Sequence, residues 1–120
     1  MKETILVETF GRLPVIRIVD FFLDNPLSDY SKEEVIKNLG ISKITFYKYF
    51  KLLEKNGLFK KTREVGRATM YKLDEKNEVV KALKSLEWAL GIKAMEKAIE
   101  ESKISVGIKK YKKPTNIFFL

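Results

Sequence analysis

The sequence has 120 residues, of which 45% are hydrophobic and 33% charged, and its formal net charge is +8 at pH 7. This length and apolar content predict one globular domain, and no apolar run approaches the roughly 20 residues that span a bilayer. The absence of Cys and His removes disulfides, the usual catalytic base and the commonest metal ligands, so we predict no catalytic, metal or cofactor site. Because the first residues lack a signal-peptide pattern, we expect a cytoplasmic protein with no membrane partner.

The N-terminal part of the sequence predicts one clear helix after a short ambiguous segment. Residues 4–10 favour either a helix or a strand, because seven residues do not fix the periodicity. Pro14 suits the first turn of the following helix, and the apolar residues from Val15 to Leu23 recur at helical spacing. This helix is predicted to end at Asn25, since the residue before a proline is disfavoured in the α conformation.

The next segment has the pattern of a helix-turn-helix. Ser31 and Glu34 form an S-x-x-E capping box, which predicts the start of a helix, and Gly40 is placed to end it in the left-handed conformation. Ser42 is placed to cap a second helix that ends near Gly57. The residues of this second helix predicted to face the core are Phe46, Phe50 and Leu53, with Tyr49 and Leu52 beside them.

A hairpin and a long helix are predicted to complete the chain. Residues 60–62 and 70–73 favour two short strands, and Gly66 at the tip permits the positive φ of a tight hairpin turn. Asn77 is a plausible cap for a helix over residues 78–101. We therefore divide the chain into a winged helix-turn-helix domain at residues 1–75, a dimerisation helix at residues 76–102 and a basic then apolar tail at residues 103–120.

The positive charge is concentrated in two parts of the sequence. Residues 42–72 contain nine basic and two acidic side chains, and residues 103–120 contain five lysines and no acid. Residues 1–41 and residues 73–102 each contain five basic and seven acidic side chains. A localised excess of this kind indicates a polyanionic partner, although a lysine-rich solubilising surface would give a similar composition.

The outward face of the second helix and the hairpin are predicted to bind double-stranded DNA. Thr45 can bond to base edges or phosphate, Ile44 can contact a thymine methyl group, and Lys48 can bind guanine or phosphate. Arg67 at the hairpin tip can enter the minor groove or remain solvated, and Tyr47 can reach DNA or pack against the wing. The predicted DNA-binding residues are Ser42, Lys43, Ile44, Thr45, Tyr47, Lys48, Lys51, Arg63 and Arg67.

The last helix contains a heptad stripe that predicts dimerisation. The predicted contact residues are Val79, Leu83, Leu86, Leu90, Ala94 and Ala98, and the spacing alternates between four and three residues from Val79 to Leu90. A partner helix from a second copy would bury this stripe, although folding back on its own domain would bury part of it. Gly91 interrupts the helix and would permit a kink or a close approach of another helix.

The segment LGISKITFYKYFKLLEKNGLFKKTREVGRATMYKL resembles the winged helix-turn-helix transcriptional regulators, especially the small archaeal proteins related to the ArsR and MarR groups. ETFGRLPVIRIVDFFLDNPLSDYSKEEV before it and NEVVKALKSLEWAL after it extend the similarity to residues 5–95. The resemblance implies a homodimer that binds promoters, with the last helix helping dimerisation. Metal sensing of the ArsR type is not expected without Cys or His, and Ile44 replaces a residue that is commonly small and polar.

These patterns predict a mainly α-helical fold with a small β-hairpin, namely a winged helix-turn-helix with a long C-terminal helix. The predicted function is a DNA-binding transcriptional repressor that occupies a palindromic operator as a homodimer, with no effector identifiable from the sequence. The alternative is a winged-helix module that binds an acidic protein within a transcription or replication assembly. A nuclease would need clustered acids on the basic face, where Glu54 and Glu64 are the candidates.

Overall fold

The computed structural model describes residues 3–102, so the predictions for the tail at residues 103–120 lie outside the described residues. Residues 5–10, for which the sequence left helix and strand open, form a helix. None of the helices within residues 3–102 combines the length and hydropathy needed to cross a bilayer. The elements are, in order, α1 (Ile5–Phe10), α2 (Pro14–Asp24), α3 (Lys32–Leu39), α4 (Lys43–Lys55), β1 (Phe59–Val65), β2 (Ala68–Leu73) and α5 (Glu78–Ser102). The predicted fold class is confirmed.

Local hydrogen bonds cap the helices at the residues that the sequence predicts. Ser31 Oγ accepts a bond from the Glu34 N–H at 3.2 Å, and the Glu34 carboxylate accepts one from the Ser31 N–H at 2.8 Å. These two bonds complete the capping box of α3, and Gly40 ends that helix at a φ of 67°. Ser42 caps α4, and Asn77 Oδ1 accepts bonds from two N–H groups in the first turn of α5.

The hydrophobic core lies between α2, α3, α4 and the inner face of the hairpin. Phe46 and Phe50 stack at 5.2 Å between ring centroids, and Phe50 stacks on Phe59 of β1 at 4.4 Å. Phe22 of α2 meets the same Phe59 ring edge-on at 4.8 Å. Because these rings are almost completely buried, α4 is fixed in its rotation about its own axis against both α2 and the hairpin.

The hairpin is longer than the sequence predicts. β1 and β2 pair antiparallel from the pair Phe59 and Leu73 to the pair Val65 and Ala68, so a two-residue tip remains. Gly66 in this tip has a φ of 62°, as expected for a tight turn. The register shifts at Thr62, which forms a bulge in β1. The extension carries the tip of the wing beyond the core.

The helix α5 is attached to the body by its first half. Val80 is completely buried, and Leu83 and Leu90 are half-buried against the core. From residue 93 onward the side chains are exposed except Glu96, which is half-buried. The helix is continuous through Gly91, and within residues 3–102 no atom would contact a Cβ added there. Within residues 3–102, no other helix therefore packs closely against Gly91.

Candidate nucleic-acid interface

The burial of α4 on one side determines which of its residues face solvent. Phe46 and Phe50 are buried, whereas Ile44 and Lys48 are exposed on the other side and Lys43 is exposed at the N-terminal end of the helix. Ile44 is 83% exposed, which is unusual for an isoleucine in the first turn of a helix. Lys51 and Tyr47 are also exposed, so five of the predicted DNA-binding side chains share one outward surface.

Leu52 does not flank the core as the sequence analysis proposed. It is 51% exposed, whereas its neighbour Leu53 is half-buried against the core. At roughly 100° per residue, Leu52 lies about 120° around the helix from Phe46. The expectation was wrong because hydrophobicity alone does not place a residue on the buried side.

Ser42 and Thr45 form a small hydroxyl pair at the N-terminus of α4. Ser42 Oγ accepts a bond from the Thr45 N–H at 3.1 Å and donates its own proton to Thr45 Oγ1 at 2.9 Å. The Thr45 hydroxyl proton is not used in these bonds, so it can be donated to a phosphate or a base acceptor. Ser42 therefore orients Thr45 as well as capping the helix.

Lys32 is a basic residue of this surface that the sequence analysis missed. Its ammonium nitrogen lies 5.0–5.4 Å from the ring centroids of Tyr47, Phe50 and Tyr71. Three aromatic rings at this distance stabilise the cation without neutralising it. No sequence signal predicts the cluster, because its members come from α3, α4 and β2. Tyr47 is held in this cluster and is still 41% exposed.

An open groove of about 560 Å³ separates the N-terminus of α3 from the wing. Ser31, Lys32 and Glu33 line one side, and Arg67, Thr69 and Tyr71 line the other. The Glu33 carboxylate lies 3.8 Å from the Lys43 ammonium group, which offsets its charge. Basic side chains on both sides of a groove next to α4 form a suitable surface for a phosphate backbone. We call this surface the wing groove.

The wing is held to the body by an ion pair from Arg63, which lies beyond the middle of β1 toward the tip. The Arg63 guanidinium donates to both Asp29 carboxylate oxygens at 3.0 and 3.2 Å, and the Thr62 hydroxyl donates to the same carboxylate at 2.5 Å. These bonds lower the pKa of Asp29 to about 2. Tyr30 and Tyr71 exchange backbone hydrogen bonds at 2.9 and 2.8 Å beside them. Arg63, predicted to bind DNA, therefore already has an acidic partner.

Three other predicted DNA-binding cations have no such partner. Within residues 3–102, Lys48, Lys51 and Arg67 make no ion pair with an acidic side chain, while Lys43 lies 3.8 Å from the Glu33 carboxylate. Their charge is therefore available to a ligand. In the same part of the chain, no group of three acidic, His or Cys side chains is placed to hold a metal ion.

The predicted heptad stripe is partly covered by its own chain. Leu83 and Leu90 pack against the core, while Val79 and Leu86 are 47% and 36% exposed, and Ala94 and Ala98 are exposed. Val79, Leu83 and Leu86 also line an apolar groove of about 380 Å³ with residues of α1 and α2. A second apolar stripe was missed, although its spacing was readable: Trp88, Ile92 and Met95.

Comparison with known proteins gives one structural likeness. No family model and no curated protein match the sequence. A solved structure described as a possible transcriptional regulator from Methanosarcina mazei Go1 is similar, with 14% sequence identity, 77% of each chain covered and a TM-score of 0.49. The winged helix-turn-helix assignment therefore depends on the capped turn, the hairpin and the element order described above.

Proposed function

We propose that this protein is a sequence-specific transcriptional regulator that binds double-stranded DNA as a homodimer and represses by occluding a promoter. The observation that carries the proposal is the outward surface of α4. Lys48 and Lys51 are exposed there without an acidic partner among residues 3–102, while Phe46 and Phe50 on the opposite side of the helix are buried in the core. Tyr47 of the same helix lies next to Lys32 of the wing groove. A helix fixed in this way presents the same residues to the major groove in every molecule.

The exposed residues suggest separate roles in DNA binding. Lys43, Lys48 and Lys51 would contact phosphates and so position the protein, whereas Thr45 and Ile44 lie nearest the N-terminal end of α4, where base edges are read. Arg67 extends from the wing tip and would enter the minor groove. Lys32 in the wing groove adds a phosphate contact that its aromatic neighbours hold in place.

Dimerisation is supported by the apolar surface that α5 leaves exposed. Leu86 and Val79 border an apolar groove on the body, and burying such a surface is favourable for a second copy. Two α4 helices related by a two-fold axis would reach successive major grooves about 34 Å apart and so require a palindromic operator.

The proposal is tested by measuring binding to duplex DNA selected from a random library, using fluorescence anisotropy at several salt concentrations. The variant Lys48→Ala with Arg67→Ala should bind at least about tenfold more weakly and with a smaller salt dependence. The matched control Lys76→Ala with Lys81→Ala removes the same charge from exposed positions outside this surface and away from the heptad stripe, and should bind normally.

Three results would contradict the proposal. Binding that changes little between about 50 and 200 mM salt would mean that few phosphates are contacted. An equal loss of affinity in the control variant would mean that net charge rather than the α4 and wing surface is responsible. Failure of both variants to change DNA binding would instead favour a winged-helix module that binds an acidic protein.

A further inference from the structure

A second large groove lies between α5 and the ends of α1 and α2, on the opposite side of α5 from the heptad stripe. Its volume of about 710 Å³ is in the range of small-molecule sites, and its walls are mainly apolar. Trp88 and Met95 are 57% and 58% exposed on the α5 wall, and Ile5, Leu23 and Pro26 form the facing wall. We call this space the α5 groove.

Carboxylate side chains make the α5 groove acidic. Asp24 and Glu87 line it, and Asp20 is buried close by, where it accepts a hydrogen bond of 2.8 Å from the Thr4 hydroxyl. Burial and the repulsion of Asp20 and Asp24 raise the pKa of Glu87, and burial followed by repulsion from Asp24 and Glu3 raises that of Asp20. The three groups therefore concentrate negative charge in a partly apolar environment.

The nearby cation does not neutralise this cluster. Lys84 lines the α5 groove and attracts Glu87, but its ammonium group lies 2.7 Å from the Glu75 carboxylate. The attraction is outweighed by burial and by the two aspartates, since the pKa of Glu87 remains raised. An additional positive charge in the groove would relieve the repulsion.

We propose that the α5 groove binds an amphipathic organic cation, with its apolar or aromatic part against Trp88, Ile92 and Met95 and its charge beside Asp24 and Glu87. An indole face is the best aromatic partner for an organic cation. The groove volume and the apolar walls fit an organic ion better than a hydrated metal ion. The acidic rim disfavours an anionic ligand, although the chain as a whole has a net charge of +8.

Because the net charge of the chain is positive, a preference of the groove for a cation over an anion is a stringent test of the proposal. Non-specific attraction to the protein would favour an anion, so a preference for a cation must come from the local charge of the groove. Tetraphenylphosphonium and tetraphenylborate have the same shape and opposite charge, and serve as matched probes. Trp88 is the sole tryptophan of the sequence, so its fluorescence reports on this groove.

The experiment titrates each probe into the full chain in sodium buffer, with Trp88 fluorescence and calorimetry as readouts. We expect saturable binding of the phosphonium at least about tenfold tighter than that of the borate. The variant Asp24→Asn with Glu87→Gln should bind the phosphonium about tenfold more weakly and the borate no more weakly. The control Glu100→Gln removes a charge from an exposed position farther along α5 and should leave both affinities unchanged.

Three outcomes would overturn the inference. Equal affinity for the two probes would show that charge does not select the ligand, and an equal effect of Glu100→Gln would show that the groove carboxylates have no special role. Trp88 fluorescence that changes with protein concentration and does not respond to the phosphonium would show that a second copy fills the groove. The assay contains no DNA, so its result is independent of the proposed function.

Discussion

Ile44 gives the most direct test of how the proposed regulator reads its sequence. Its side chain is 83% exposed in the first turn of α4 and therefore contributes little to folding. A thymine methyl group is the apolar feature of the major groove that such a side chain can contact. The perturbation is Ile44→Ala, combined with replacement of individual thymines by deoxyuridine in the selected operator, which removes only the methyl group.

The expected magnitude follows from the area that the contact buries. Burying about 50 Å² of apolar surface at about 25 cal/mol/Å² contributes about 1.2 kcal/mol per half-site. This free energy corresponds to about an eightfold change in Kd. Because Ile44 is exposed in the free protein, Ile44→Ala should change the free energy of unfolding by no more than about 0.5 kcal/mol.

The assay is a double-mutant cycle on Kd, measured by fluorescence anisotropy at constant salt. Replacing one such thymine by deoxyuridine in a single half-site should weaken wild-type binding about eightfold, and replacing it in both half-sites about 60-fold. The same replacements should have no effect on Ile44→Ala. If every replacement weakens both proteins equally, Ile44 does not contact a thymine methyl group. That result would leave DNA binding itself intact, whereas absence of any specific binding would contradict the proposed function.

Three further predictions concern the fold and the assembly. Phe50→Ala should lower the free energy of unfolding by about 3–5 kcal/mol in a denaturant titration, since Phe50 is 1% exposed, while Leu52→Ala, on the exposed side of α4, should change it by about 0.5 kcal/mol or less. The depressed pKa of Asp29 should add stability that is complete above pH about 4 and lost as the pH falls through about 2, and Arg63→Gln should raise that pKa in an NMR titration. Leu86→Asp should reduce the mass measured by light scattering to that of one chain. The control Leu27→Asp should not, because Leu27 is 92% exposed and lies outside the dimer surface. A monomeric wild type would contradict the proposed dimer.

The heptad stripe and the α5 groove are separate apolar surfaces of α5, so this helix can contact two partners. Leu86 of the heptad stripe and Trp88 of the α5 groove lie roughly 200° apart around the helix axis. A second copy on the heptad stripe would therefore leave the α5 groove open. The groove also lies against α2, which packs on α4 through the core.

Much of the fold could be predicted from the sequence because its signals are local. The capping box at Ser31, the left-handed Gly40 and the cap at Asn77 each depend on hydrogen bonds between residues no more than four positions apart. The same is true of the hairpin tip at Gly66. Such interactions form wherever the segment is placed in the fold, so a sequence pattern is enough to identify them.

The tertiary structure alone decided which of the candidate groups meet. Asp29 and Arg63 are 34 positions apart, and Lys32 reaches rings from two other elements, so no local pattern could pair them. Leu52 was misplaced for a related reason, since the core on which α2 and β1 converge sets the rotation of α4. The sequence by itself determined the helix-turn-helix, the wing and the basic segment that joins them. Long-range packing determined which cations remain free to bind a partner, because it fixes the distances between charges that are remote along the chain.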